Sequence, residues 1–180
     1  MMWKRLLGAV CALTIWSGAA SGATLKAMDL EDLTAGADRV ITGQVAEVKA
    51  RWSEGLIITS ARITIDTCLV GPCETEVVVE TVGGQVGDLV MSVDGMARFA
   101  QGEEVLLFLQ RPTPNRQSAW RTRGMAQGKF SIRRVGAQVW LERPLGAVEL
   151  VGVNAREALA VEGASLSDVT TRVKHLKAQP

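Results

Sequence analysis

The chain has 180 residues, of which 20 are basic, 19 acidic and one histidine, and 47% are hydrophobic. This balance excludes the domain-wide basic field of a nucleic-acid-binding module. A lone histidine and three cysteines leave little from which to build a zinc site or a histidine-dependent nucleophile.

The first element reads as an export signal. Lys4 and Arg5 form a positive n-region, Leu6 to Trp16 an apolar h-region, and Ser21-Gly22-Ala23 the small residues of a cleavage site. The run is shorter than the roughly 18 apolar residues of a membrane span. Cys11 follows Val10 inside the h-region, which is misplaced for lipidation. With 1–23 removed, the mature chain starts near Thr24 and forms one domain over 24–180. It is expected in the periplasm or outside the cell, with no transmembrane anchor after cleavage.

Removing the leader changes the charge count to 18 basic and 19 acidic, and exposes an asymmetry. Thr24 to Gln110 holds 6 basic and 14 acidic residues, and Arg111 to Pro180 holds 12 and 5. The basic excess lies in Arg111, Arg116, Arg121, Arg123, Lys129, Arg133, Arg134 and Arg143. Either the two halves neutralise each other across one domain, or they present a cationic face to an acidic glycan, headgroup or protein.

Asp29 can cap a short helix over Leu30 to Ala37, with Glu31 and Asp32 in its first turn. Val40 to Trp52 then reads as a long strand, ended by a turn at Ser53-Glu54-Gly55. Leu56 to Thr67 alternates cleanly. Ile57, Thr59, Ala61, Ile63 and Ile65 form a buried face, while Ile58, Ser60, Arg62, Thr64 and Asp66 form a wet one.

Cys68 and Cys73 flank a Gly71-Pro72 turn. An even cysteine count in an exported chain favours a disulfide over a redox pair or a zinc site. Thr75 to Thr81 gives a third strand, with Glu74, Glu76 and Glu80 on its solvated face. Gly87 to Ala100 is a hairpin or an irregular loop. Val105-Leu106-Leu107-Phe108-Leu109 is a continuous apolar run, as in a strand buried on both sides.

Trp120 to Arg133 and Ala137 to Leu141 read as strands around a turn at 134–136, and 144–162 gives no clear pattern. From about 165 an amphipathic helix is expected, with Ser165 as N-cap and Leu166, Val169, Val173 and Leu176 as its apolar stripe. Six or seven strands with a helix near each end suggest a mainly β fold, a small closed or partly open antiparallel barrel.

The stretch Ala37-Asp38-Arg39-Val40-Ile41-Thr42-Gly43-Gln44-Val45 resembles the opening strand of netrin-like, metalloproteinase-inhibitor-like domains. The strand ending at Cys68-Leu69-Val70-Gly71 and the segment Gly102 to Phe108 are similar to later elements of that family. The resemblance covers about 37–109 and implies an OB-type barrel. Gly124 to Phe130 is similar to exported bacterial proteins of this size, which have no established activity to transfer. Tissue inhibitors of metalloproteinases use an N-terminal cysteine on the catalytic zinc. Thr24 supplies no such group, so the resemblance implies fold rather than that mechanism.

No catalytic or metal-ligating set emerges, and no cofactor is expected. His175 lies opposite the apolar stripe of its helix. Gly124 to Lys129 lacks phosphate-loop spacing and the hydroxyl that would follow its lysine. The candidate binding surface is Trp52, Trp120, Arg121, Arg123, Lys129, Arg133, Arg134 and Trp140, since tryptophan and arginine dominate binding hot spots. The expected function is a non-enzymatic exported module that binds a protein or an acidic envelope component. The alternative is an inhibitor or accessory partner of a secreted protease.

Overall fold

The computed structural model describes residues 22–111 and 119–178. Of the expected leader over 1–23, residues 1–21 lie outside the described residues. A short strand, β1 (Thr24–Lys26), leads into helix α1 (Leu30–Ala35). Asp29 caps this helix, its Oδ1 accepting from the Asp32 N–H at 2.8 Å. The cap falls where the sequence places it, and the helix stops two residues earlier than expected.

Two 15-residue strands follow, β2 (Arg39–Ser53) and β3 (Leu56–Val70). They are paired antiparallel along almost their whole length. Their turn uses positive φ at both Glu54 (51°) and Gly55 (79°). That geometry matches the right-handed twist of a hairpin. Ile57, Thr59, Ala61 and Ile63 are buried, while Thr64 and Asp66 face water, so the alternation holds. Ile58 departs from it and is also buried.

The Cys68–Cys73 disulfide is formed. It closes the turn into β4 (Glu76–Val82), which continues to a small hairpin of β5 (Gly84–Val86) and β6 (Leu89–Met91). The next strand, β7 (Glu104–Gln110), is sandwiched. Leu106 and Phe108 join the core under the helices, and Val105, Leu107 and Leu109 join the core against β3 and β4. A strand with two buried faces has no polar side to show, which explains its unbroken apolar run.

The strand expected over 120–133 is real but interrupted. β8 (Arg121–Thr122) and β9 (Lys129–Val135) both run along β7, separated by a 3-10 turn at Met125–Gly128. The interruption serves the N-terminal segment. Gln127 Oε1 accepts from the Met28 N–H at 2.8 Å, and its Nε2 donates to the Lys26 carbonyl at 3.0 Å. β10 (Gln138–Glu142) completes a hairpin with β9.

The sheet order is β10-β9-β7-β2-β3-β4, with β8 beside β7. Trp120 also touches the far strand. It forms a parallel bridge with Val79, donating to the Val78 carbonyl and accepting from the Glu80 N–H. The segment 120–122 is therefore hydrogen-bonded to β4 and to β7.

The stretch without a sequence pattern contains β11 (Glu149–Val151), parallel to β1, and helix α2 (Ala155–Leu159). Helix α3 (Leu166–Ala178) closes the chain. Its N-cap is Ser165, whose Oγ accepts from the Asp168 N–H, and Val169 and Val173 are buried against the sheet. The fold is mainly β and antiparallel, with one short helix before the sheet and an amphipathic helix after it. No helix among the described residues is long and apolar enough to cross a membrane.

Candidate functional site

A cleft of about 1030 Å³ lies between α3 and the sheet. Its charged lining residues are Arg134 and Lys174, its aromatic is Trp140, and it has no carboxylate among its lining residues. Hydroxyls come from both walls, Thr42 and Thr67 from β2 and β3, and Ser165, Ser167 and Thr170 from the start of α3. Ser167, Thr170 and Lys174 share the wall because they recur at helical spacing. Trp140 is fixed by a backbone bridge to Ser165, which brings the head of the helix against the edge of β10.

Arg134 is exposed, and its guanidinium is held by Glu104, with Nε 2.8 Å from Oε2. That contact raises its pKa further above the usual range. The arrangement offers two cations, hydroxyl donors and an indole to a ligand, which are the groups that recognise carboxylates or sulfates on a polar chain.

Of the eight residues expected on a binding surface, Arg134 and Trp140 meet in this cleft. Arg133 is exposed on β9 and paired with Glu142, and Arg121 is exposed on β8. Arg123 is half-buried, and its Nε is enclosed without a hydrogen-bond partner. Trp52 stands 50% exposed near the β2–β3 turn.

One of the eight is not at the surface, and another is already partnered. Lys129 is 2% exposed and buried against Glu103 and Ser131, so it belongs to the core rather than the surface. Its position on β9 alternates with Phe130, and both faces of that strand are covered at this point. Trp120 is half-buried, with the Arg39 guanidinium 4.5 Å from its ring centroid, so a buried arginine already occupies its face. Glu80 likewise leaves the solvated row expected on β4. It is buried and accepts from Arg51 and Ser60.

Lys174 and the helix hydroxyls were missed. The sequence signal was present, because 167, 170 and 174 lie along one flank of the apolar stripe. His175 is exposed on α3. Among the described residues no cluster of His, Cys, Asp or Glu could hold a metal. No protein-family model matches the chain, and no curated protein matches it.

Proposed function

We propose that this chain is an exported, non-enzymatic binding module whose cleft takes an acidic component of the cell envelope. The observation that carries this is the lining itself, with Arg134 and Lys174 beside Trp140 and five hydroxyl side chains, and no carboxylate among the lining residues, Glu104 pairing with Arg134 from outside the lining. A site that faces a polyanion gains from such one-sided charge, and its binding weakens with salt.

The proposed scaffold is a small OB-type barrel of the netrin-like kind. The bonds of Trp120 to β4 and of β8 to β7 support this, since they link the two ends of the path β4-β3-β2-β7. The disulfide and the signal-like leader support export.

The test is retention of the processed protein on heparin, as an acidic glycan, against neutral dextran. Retention on heparin that falls with salt, and is lost when Arg134 and Lys174 are both changed to Glu, supports the proposal. Equal retention on both matrices, or no effect of the double change, rejects it.

A second reading, partner or inhibitor of a secreted protease, is favoured by a different surface. Trp52 and Leu56 flank the β2–β3 turn, and Leu89 and Val90 on the β5–β6 hairpin are 61% and 70% exposed. Gly84 of β5 lies against Ala50 and Ile57, which brings the two hairpins to the same end of the sheet. Exposed apolar side chains concentrated in this way fit a protein-docking end. Near-stoichiometric slowing of a protease, abolished by Trp52→Ala, would support it.

A further inference from the structure

We infer that a second cavity, between strands β2 to β4 and the segment after β6, binds a small carboxylate with an apolar tail through Arg98 and Thr81. It shares no lining residue with the cleft under α3 and stands apart from the function proposed for that cleft.

The cavity follows from side-chain size. Ala50, Thr59 and Thr81 lie opposite one another across β2, β3 and β4. Three small side chains in one row leave about 380 Å³ between the sheet and the segment that follows β6. The rest of the lining is mostly apolar, with Val48, Val82, Val90, Met91, Met96 and Phe99. The volume falls in the lower part of the range for small-molecule sites, about 300–1,000 Å³. Unbranched methionine side chains let such a wall adapt to an alkyl chain.

Two polar groups in this lining lack partners. The Thr59 hydroxyl is satisfied, donating to the Gly83 carbonyl at 2.6 Å. Thr81 is 6% exposed, and its Oγ1 is enclosed without a hydrogen-bond partner. Arg98 is exposed and donates to the Ser92 hydroxyl, but no salt bridge among the described residues reaches it. No carboxylate is among the lining residues. An enclosed hydroxyl without a partner is costly, and a ligand oxygen would satisfy it. A guanidinium with free donors takes a carboxylate bidentately. An apolar cavity with one cation and one hydroxyl therefore suits an alkyl carboxylate. A sugar or polyanion would bury polar groups against valine and methionine.

The experiment titrates octanoate into the processed protein by calorimetry, with octanol as the uncharged control and acetate as the control without a chain. One-site binding of octanoate, at least tenfold tighter than either control, supports the inference. Arg98→Gln and Thr81→Val should each weaken octanoate about tenfold, while Arg134→Glu with Lys174→Glu leaves it unchanged. Arg98 is exposed and Thr81→Val keeps the side-chain shape, so both variants should fold. Without ligand, Thr81→Val should raise the melting temperature, because it removes an unpartnered hydroxyl, and octanoate should then raise it less than in wild type. Absent binding, equal binding of octanol, full affinity in Arg98→Gln or Thr81→Val, or loss of binding in the Arg134 and Lys174 variant overturns the inference. Tighter binding of N-acetyl-leucine than of octanoate also overturns it, in favour of a peptide C-terminus.

Discussion

The Nζ of Lys129 lies 2.6 Å from Oε1 of Glu103, with the lysine almost wholly buried and the glutamate partly exposed. Ser131 Oγ donates to the same carboxylate oxygen, and the Phe99 ring covers the ammonium at 5.6 Å. The burial is unequal, so the two partners respond differently to removal. Glu103→Gln leaves an ammonium in the core without a counter-charge and is expected to cost about 3 kcal/mol. Lys129→Met keeps the volume and leaves the carboxylate with Ser131 and water, so it should cost less. Urea unfolding of both variants checks the order, and a larger loss for Lys129→Met would show that the carboxylate is the stranded partner.

The same burial sets a pH dependence. Desolvation pulls the pKa of Lys129 below its ordinary 10.5, and the Glu103 contact opposes this only in part. Between the lowered value and 10.5 the unfolded chain binds more protons than the folded one, so stability from this group rises with pH. Below that window the buried charge is fully present and the contribution is at its least favourable. Wild type should therefore gain on Lys129→Met as pH climbs toward 10.5 and level off above it. A stability difference that stays flat across that range would falsify the shift.

Arg143 presents a different case, a buried cation without a salt bridge, which Glu162 favours only at longer range. It is 3% exposed, stacked on Phe130 at 5.1 Å, and donates to the Ala158 carbonyl of α2. Its Nε and Nη1 have no partner, and burial lowers its pKa. Much of its value should then lie in packing rather than in charge. Arg143→Met should change stability by less than about 1.5 kcal/mol, whereas Arg143→Ala opens a cavity and should cost about 2–4 kcal/mol. Equal losses in thermal unfolding would show that the guanidinium's hydrogen bond carries the contribution.

The disulfide closes a short loop, so its worth is limited. The chain-entropy model gives about 2 kcal/mol for the Cys68–Cys73 ring. The ring also leads directly into Glu74, which holds the buried Arg39 at 3.2 Å over Trp120. Cys68→Ser with Cys73→Ser should therefore cost about 2 kcal/mol or slightly more in denaturant midpoint. With Trp52 and Trp140 both changed to Phe in the processed chain, a loss of the tryptophan fluorescence change on unfolding would locate the disturbance at Trp120.

Much of this fold was legible because its signals are local. The period of two in Leu56 to Thr67, the Asp29 and Ser165 caps and the stripe of α3 all depend on neighbours within a few residues. What stayed hidden depends on distant partners. β11 is three residues long, too short to show a period, and it exists because β1 lies parallel to it more than 120 residues away. The break between β8 and β9 depends on Gln127 reaching Lys26 and Met28. Lys129 misled for a related reason, since a lysine in a basic run reads as surface until Glu103 is found beside it. The cleft was half legible, through Arg134 and Trp140, because its other wall is a helix whose placement over the sheet no local pattern encodes.

Glu104 gives the cleft an internal competitor. It holds Arg134 at 2.7 Å but does not itself line the cleft, so an incoming anion must share or displace it. Both side chains are at least a third exposed, and such a pair contributes only about 0.2–1 kcal/mol. Glu104→Gln should therefore raise affinity for an acidic glycan by roughly up to fivefold, the amount the competing pair is worth. Lys174→Ala should lower affinity, and Arg134→Ala should lower it less in wild type than in the Glu104→Gln background, because Arg134 is then free to act. Dissociation constants for heparin across wild type, Glu104→Gln, Arg134→Ala and the double variant form a cycle that isolates this coupling. Strictly additive effects would show that Glu104 and the ligand do not compete for the same guanidinium.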